Sequence, residues 1–238
     1  LAWGLQGGRG FMGSSHREWE GDLERVPRSK EKDASGQKCI FVSLPTGFNL
    51  TTINVFPEKP VTSAVIPLQT GYFNHIFSLV SKAEKSISIC QYVFSTNKTR
   101  NWQRSNKILK SLVSAAARGV ELRVLFDRPK LNSPNIRSNI RTVDALREGN
   151  IIAKCLAVNK ALHIKMLIID KKIFLAGSHN LTDSSLYSPY ELSFECRDEY
   201  MVNCAGIYFE CLWNGNLSQD YRSAVEDMAY QRKKKFYG

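Results

Sequence analysis

Residues 161–180 read Ala-Leu-His-Ile-Lys-Met-Leu-Ile-Ile-Asp-Lys-Lys-Ile-Phe-Leu-Ala-Gly-Ser-His-Asn, a stretch that gathers the residue types phosphoryl chemistry needs. The imidazole of His163 can attack phosphorus, and the ammonium of Lys165 and the amide of Asn180 can hold non-bridging oxygens, so neither metal nor cofactor is required to supply charge. His163 and Lys165 stand two residues apart and therefore project from one face of a strand. Gly177 permits close backbone approach, and Ser178 adds a hydroxyl beside it.

The element that must position these groups is a hairpin, because two apolar runs flank the polar turn Asp170-Lys171-Lys172. Counting outward from a turn centred near residue 171 places His163 opposite Ser178 or His179, and Lys165 opposite Gly177 or Ala176. Asn180 then returns beside them at a loop-to-helix junction, where asparagine caps well and free N–H groups favour an anion. His179 points away from His163, and His75 lies among helical apolar residues, so both read as structural.

Around the hairpin the pattern alternates between helices and strands. Residues 73–80 and 108–116 carry helical stripes, the second stopping at Gly119, while 86–94, 120–126 and 151–158 read as strands and 139–146 as a shorter helix. The expected organisation is an irregular arm over residues 1–38, accessory strands and a linker over 39–60, a catalytic domain over 61–215 and a basic helix or tail over 216–238. The accessory strands flank Pro45-Thr46-Gly47, which is turn chemistry.

Lysine and arginine number 33 against 22 acidic residues, giving a net charge of +11 that would concentrate polyanions near the surface. Nucleic acid or anionic phospholipid is the implied partner. Arg100, Trp102 and Arg104 interleave charge and ring in a way that suits a single strand, and the run from Arg232 to Lys235 is a basic helix end. The six cysteines contain no C-x-x-C pair, which argues against a zinc site and for a reducing, intracellular compartment. No apolar stretch approaches the ~20 residues that span a bilayer.

The spacing His163-x-Lys165-x4-Asp170-x6-Gly177-Ser178-x-Asn180 resembles the H-K-D motif of the phospholipase D superfamily, and in particular its small single-motif members. The likeness extends over residues 61–215, with 117–127 similar to the family's helix-then-strand segment and Tyr208, Phe209, Glu210, Leu212 and Trp213 similar to its closing helix. It implies an α/β fold, an α-β-α sandwich with a central mixed sheet and helices on both faces. It also implies that His163 forms a phosphohistidine and that Lys165 and Asn180 bind the phosphate with support from Ser178, whereas Asp170 matches the motif but sits at the hairpin tip and, like Gly177, reads as structural. A glutamate after the motif orients the histidine in that family. Glu199, ahead of the strand-like Tyr200-Met201-Val202, is the residue chosen for it, with Glu191 and Glu195 as competitors.

Larger members carry two motifs and this chain has one, so the resemblance further implies a homodimer in which each copy supplies a histidine. The expected activity is a metal-independent endonuclease acting on DNA or RNA. The alternatives are a cardiolipin-type phospholipid hydrolase and a catalytically silent nucleic-acid-binding dimer.

Overall fold

The computed structural model describes residues 28–32, 38–43, 51–54 and 66–237, apart from 98, 131, 132, 134, 159 and 160. Most of the expected arm, the Pro45-Thr46-Gly47 turn and the expected domain start at residue 61 lie outside these residues. The chain divides into two units, Leu1–Phe56 and Pro57–Gly238.

In the first unit β1 (Arg28–Lys32), β2 (Lys38–Ser43) and β3 (Thr51–Asn54) form an antiparallel sheet in that order. The accessory strands are β2 and β3. β1 lies within the stretch read from sequence as irregular, where the polar run Arg-Ser-Lys-Glu-Lys gives no alternation to reveal a strand.

The second unit begins with β4 (Ile66–Leu68) and α1 (Tyr72–Lys82), followed by β5 (Ser86–Gln91), α2 (Arg104–Ala117) and β6 (Glu121–Phe126). Then come α3 (Ile136–Glu148), β7 (Ile152–Leu156), β8 (Lys165–Ile169), β9 (Ile173–Gly177) and α4 (Asp183–Tyr187). β10 (Ser193–Cys196), α5 (Glu199–Asn214), β11 (Ser218–Asp220) and α6 (Tyr221–Tyr237) complete it. The eight strands form one mixed sheet in the order β11-β7-β6-β5-β8-β9-β10-β4, in which only the β5–β6 and β6–β7 pairings are parallel.

Apolar side chains cover both faces of this sheet. On one face Ile76 and Val80 of α1, Ile108 and Leu112 of α2, Leu146 of α3 and Tyr221 of α6 pack on Ile87, Ile89, Val124 and Leu167. On the other, Val202, Phe209 and Trp213 of α5 pack on Cys90, Leu125, Met166 and Ile168. Strands covered on both sides need not alternate, and all residues of β5 and β8 are buried. α2 ends in a Schellman motif: Gly119 adopts φ +93°, its N–H donates to the Ala116 carbonyl and the Val120 N–H to that of Ala115, at 2.9 and 3.1 Å.

One expectation changes here. Tyr200-Met201-Val202 is not a strand but the first turn of α5: the Asp198 carboxylate accepts the Met201 N–H at 3.0 Å, and Val202, Ala205 and Phe209 follow at helical spacing against the sheet. The strand of this region is β10, a few residues earlier. The stretch 216–238, expected as a basic helix or tail, holds β11 and the helix α6. β11 pairs with β7, and Tyr221 and Ala224 enter the core.

The hairpin of β8 and β9 pairs Met166 with Ala176 and Ile169 with Ile173, a register centred on residue 171. Its tip is a type I′ turn, with Asp170 at φ 54°, Lys171 at φ 53° and the Lys172 N–H donating to the Ile169 carbonyl at 3.0 Å. The Asp170 carboxylate accepts the N–H groups of Glu84, Lys85 and Ser86, fastening the tip to the start of β5. Burial alone would raise its pKa. The three N–H groups and Lys172 outweigh that and hold it below the ordinary value.

Asp170→Ala should therefore lower stability by roughly 1.5–3 kcal/mol in urea unfolding at neutral pH. Because the folded pKa is depressed, the contribution is complete above the unfolded value near ~4 and is lost as pH falls through the folded value. The difference between wild type and variant should shrink over that acid range.

Candidate active site

Lys165 is the first residue of β8, paired with Gln91 of β5 on one side, and the hairpin register continued by one residue sets Gly177 on the other. Its stem is enclosed, and the residue is 6% exposed. Nζ donates to the His163 carbonyl at 3.1 Å and lies 3.1 and 3.0 Å from the two ring nitrogens of the exposed His163. Burial pulls the lysine pKa below its ordinary value, and the negative charge of Glu191 opposes this in part. The buried Asp127 at the end of β6 accepts the Leu162 N–H at 2.8 Å and so fixes the approach to His163.

An open cleft of about 440 Å³ is lined by His163, Lys165, Gly177, Ser178, Asn180 and Glu191. The structure thus brings five of the sequence-predicted residues together with Glu191, one of the competing glutamates. Asn180 donates its backbone N–H to Ser185 Oγ at 2.9 Å, and that hydroxyl donates to Glu191 Oε1 at 2.9 Å. Ser185 therefore couples the two sides of the cleft. The Asn180 side-chain oxygen is buried with no hydrogen-bond partner among the described residues.

Gly177 and Ser178 both meet the backbone at Leu192 and Ser193. A Cβ on Gly177 would lie 2.3 Å from Ser193 Oγ and 2.4 Å from the Leu192 carbonyl, so the glycine admits the neighbouring strand β10. The Ser178 hydroxyl accepts the Leu192 N–H at 2.9 Å and donates to its carbonyl at 3.3 Å. Both residues hold the backbone that follows Glu191.

The three glutamates weighed from sequence separate cleanly. Glu199 is exposed at the first turn of α5, where a negative charge complements the helix dipole, and it does not line the cleft. Glu195 is 1% exposed and engages His75 and Arg197 instead. Burial would raise its pKa, but those two partners hold it below the ordinary value. Glu191 is the glutamate that shares the cleft with His163.

His179 is 1% exposed, stacked on Tyr72 with ring centroids 4.1 Å apart and hydrogen-bonded to Ser193 Oγ at 2.8 Å. Burial lowers its pKa, which favours a neutral ring. Arg104 is also committed internally: its guanidinium donates to the Leu186 carbonyl and stacks on Tyr187. Arg100 and Trp102 remain exposed.

Sequence reading missed Tyr92 and Ser185. Tyr92 follows β5, its ring centroid 4.6 Å from that of His163 and 5.2 Å from Lys165 Nζ. Only the β5–β8 pairing brings it there. Ser185 follows Thr182, whose side chain caps α4, and this Thr-x-x-Ser pattern was the available signal. Among the described residues no three His, Cys, Asp or Glu side chains cluster to hold a metal ion, and no helix is long and apolar enough to cross a membrane.

A sequence profile for the family described as cardiolipin synthase, PLD-like domain, matches residues 76–213, more than half of the chain and all of the cleft. The chain belongs to the phospholipase D superfamily. Within it, a phospholipase D of Rickettsia prowazekii is 28% identical over 137 residues, covering 58% of this chain and 60% of that one. The mitochondrial cardiolipin hydrolase of Xenopus tropicalis is 22% identical, with 76% and 77% covered, and the 5'-3' exonuclease PLD3 of Xenopus laevis 29%, with 68% and 34%. Two matching Helicobacter pylori proteins are spanned over only 30% of their length.

The fold agrees. Nuc of Salmonella typhimurium, a phospholipase D family member, superposes with a TM-score of 0.55 at 20% identity, over 66% of this chain and 97% of that one. The superfamily's α-β-α sandwich accounts for the mixed sheet and its two helical layers.

Proposed function

We propose that the chain is a metal-independent phosphodiesterase that cleaves nucleic acid through a phosphohistidine, with its active site completed by a second copy. The observation that carries this reading is the pairing of an exposed His163 with a largely buried Lys165 in one open cleft beside Asn180. A nitrogen of His163 attacks phosphorus, the bond to the leaving oxygen breaks, and that oxygen takes a proton from His163 of the second copy. Water then gives its proton back to that histidine and attacks phosphorus, the P–N bond breaks, and His163 is freed. Lys165 and Asn180 hold the non-bridging oxygens throughout.

The second copy is needed because, among the described residues, the cleft is lined by one histidine, His179 being turned into the core. Beside Ser178, Leu192 is 46% exposed, and Phe194, paired with Ala176, is 43% exposed. An apolar strip next to an incomplete site supports contact between copies there.

Glu191 takes the orienting role first given to Glu199. Glu191→Gln should lower kcat/KM at least about tenfold and displace the pH profile, as loss of a carboxylate that positions a histidine does, whereas Glu199→Gln should change neither.

The charge of +11 and the kinship with an exonuclease favour nucleic acid, and the kinship with a cardiolipin hydrolase favours lipid as the second reading. Parallel assays on DNA, RNA and cardiolipin vesicles decide between them. Cleavage of nucleic acid that survives EDTA and loses specific activity on dilution is expected. Hydrolysis of cardiolipin alone would move the reading to lipid, and tight salt-sensitive binding without cleavage would make the protein a silent binder.

A further inference from the structure

We propose that Trp102 and Tyr187 form a stacking platform for the unpaired bases of a single strand lying across the cleft, an inference that rests on the nuclease reading and narrows its substrate. Trp102 is 62% exposed and Tyr187 54% exposed. Both rings stand on fixed backbone. In the connection between β5 and α2, Asn106 Oδ1 accepts the Asn97 N–H at 3.0 Å, and its Nδ2 donates to the carbonyls of Asn97 and Arg100 at 2.8 and 2.5 Å. The Gln103 N–H donates to the Arg100 carbonyl at 3.0 Å, closing the turn that carries Trp102. Because the backbone beneath the rings is already held, a ligand that stacks on them need not order that backbone.

Arg104, two residues after Trp102, links the turn that carries Trp102 to Tyr187. Its guanidinium carbon lies 3.6 Å from the Tyr187 ring centroid and 5.1 Å from that of Phe73, so it backs one face of Tyr187 and leaves the rest to solvent. Its backbone N–H donates to Asp183 Oδ1 at 2.7 Å, tying the Trp102 turn to α4. The same connection reaches the cleft, since the Ser95 N–H donates to the carbonyl of Leu181, the residue after Asn180, at 3.0 Å. Exposed Arg100 adds a positive charge near Trp102.

Flat rings, one backed by a guanidinium, on segments that lead to a site for a phosphodiester match the alternating bases and phosphates of an unpaired strand. A duplex stacks its bases on one another, and a glycerophospholipid headgroup has no π-face. The platform therefore selects single strands.

The test uses His163→Ala protein in EDTA, which holds substrate without turnover, and fluorescence anisotropy of three labelled probes: a single strand of mixed sequence, its duplex, and an abasic strand of equal length and charge. Trp102→Ala and Tyr187→Ala should each weaken binding of the base-bearing strand about tenfold and leave the other two probes unchanged. Tyr187→Phe should bind as the parent does, and Tyr230→Ala, exposed on α6, should have no effect.

Unchanged binding in both alanine variants, equal losses on the abasic strand, or losses that appear only on cardiolipin vesicles would each overturn the platform. Those results, obtained with a wild-type protein that still cuts nucleic acid, would leave the nuclease reading standing. A wild-type protein that neither binds nor cuts any oligonucleotide would remove both.

Discussion

His163→Ala should reduce phosphodiester cleavage by at least about 10⁴-fold while leaving the folded structure intact. The magnitude follows from removing a nucleophile, for which the remaining groups offer no substitute. The side chain is exposed, and among the described residues its ring contacts are to Tyr92 and Lys165, so truncation opens no cavity. Circular dichroism and the urea midpoint should match wild type. If two copies share the site, His163→Ala removes both the nucleophile and the leaving-group acid. Mixing it with wild-type chains should then yield heterodimers less active than half of the wild-type complement. Activity in simple proportion to the wild-type chains would instead mean that each copy works alone.

Lys165→Ala is expected to lower kcat/KM by about 10²–10³-fold, the effect of removing one preorganised charge from an oxyanion-type site. The lysine works only as the ammonium, and burial has drawn its pKa below the ordinary value. Activity should therefore be present below that pKa and fall on the alkaline side as pH rises through it, earlier than an exposed lysine would allow. Lys165→Arg should restore part of the rate and move this alkaline limb upward, since a guanidinium does not titrate in that range. An unchanged alkaline limb in Lys165→Arg would show that another group sets it.

The parts of this site that could be read in the sequence are those fixed by local geometry. The polar turn at Asp170-Lys171-Lys172 and the two apolar runs beside it set the β8–β9 register, and that register carries His163, Lys165 and Gly177 to their places. The stop at Gly119 was legible for the same reason, because a left-handed residue is chosen within one turn of helix. The glutamate was not. β9, α4 and β10 fold back so that Glu191 returns to the cleft, and Glu199 starts a helix whose apolar face is recognisable only once the sheet beneath it is known. Close backbone approach at Gly177 was legible, whereas the segment that approaches, Leu192 and Ser193, was not. Arg104 looked like a ligand contact and is instead the support behind Tyr187, a partner 83 positions away in sequence. Periodicity reveals that a face is buried but not which element buries it.

The central claim, that His163 bonds to phosphorus, is tested most directly by rapid quenching with denaturant during turnover of a uniformly ³²P-labelled oligonucleotide in EDTA. The account predicts a labelled protein that survives alkali, loses its label in acid as a P–N bond does, maps to the peptide containing His163 and is absent from His163→Ala. Cleavage at the wild-type rate with no such adduct, or an adduct that persists in His163→Ala, would contradict it.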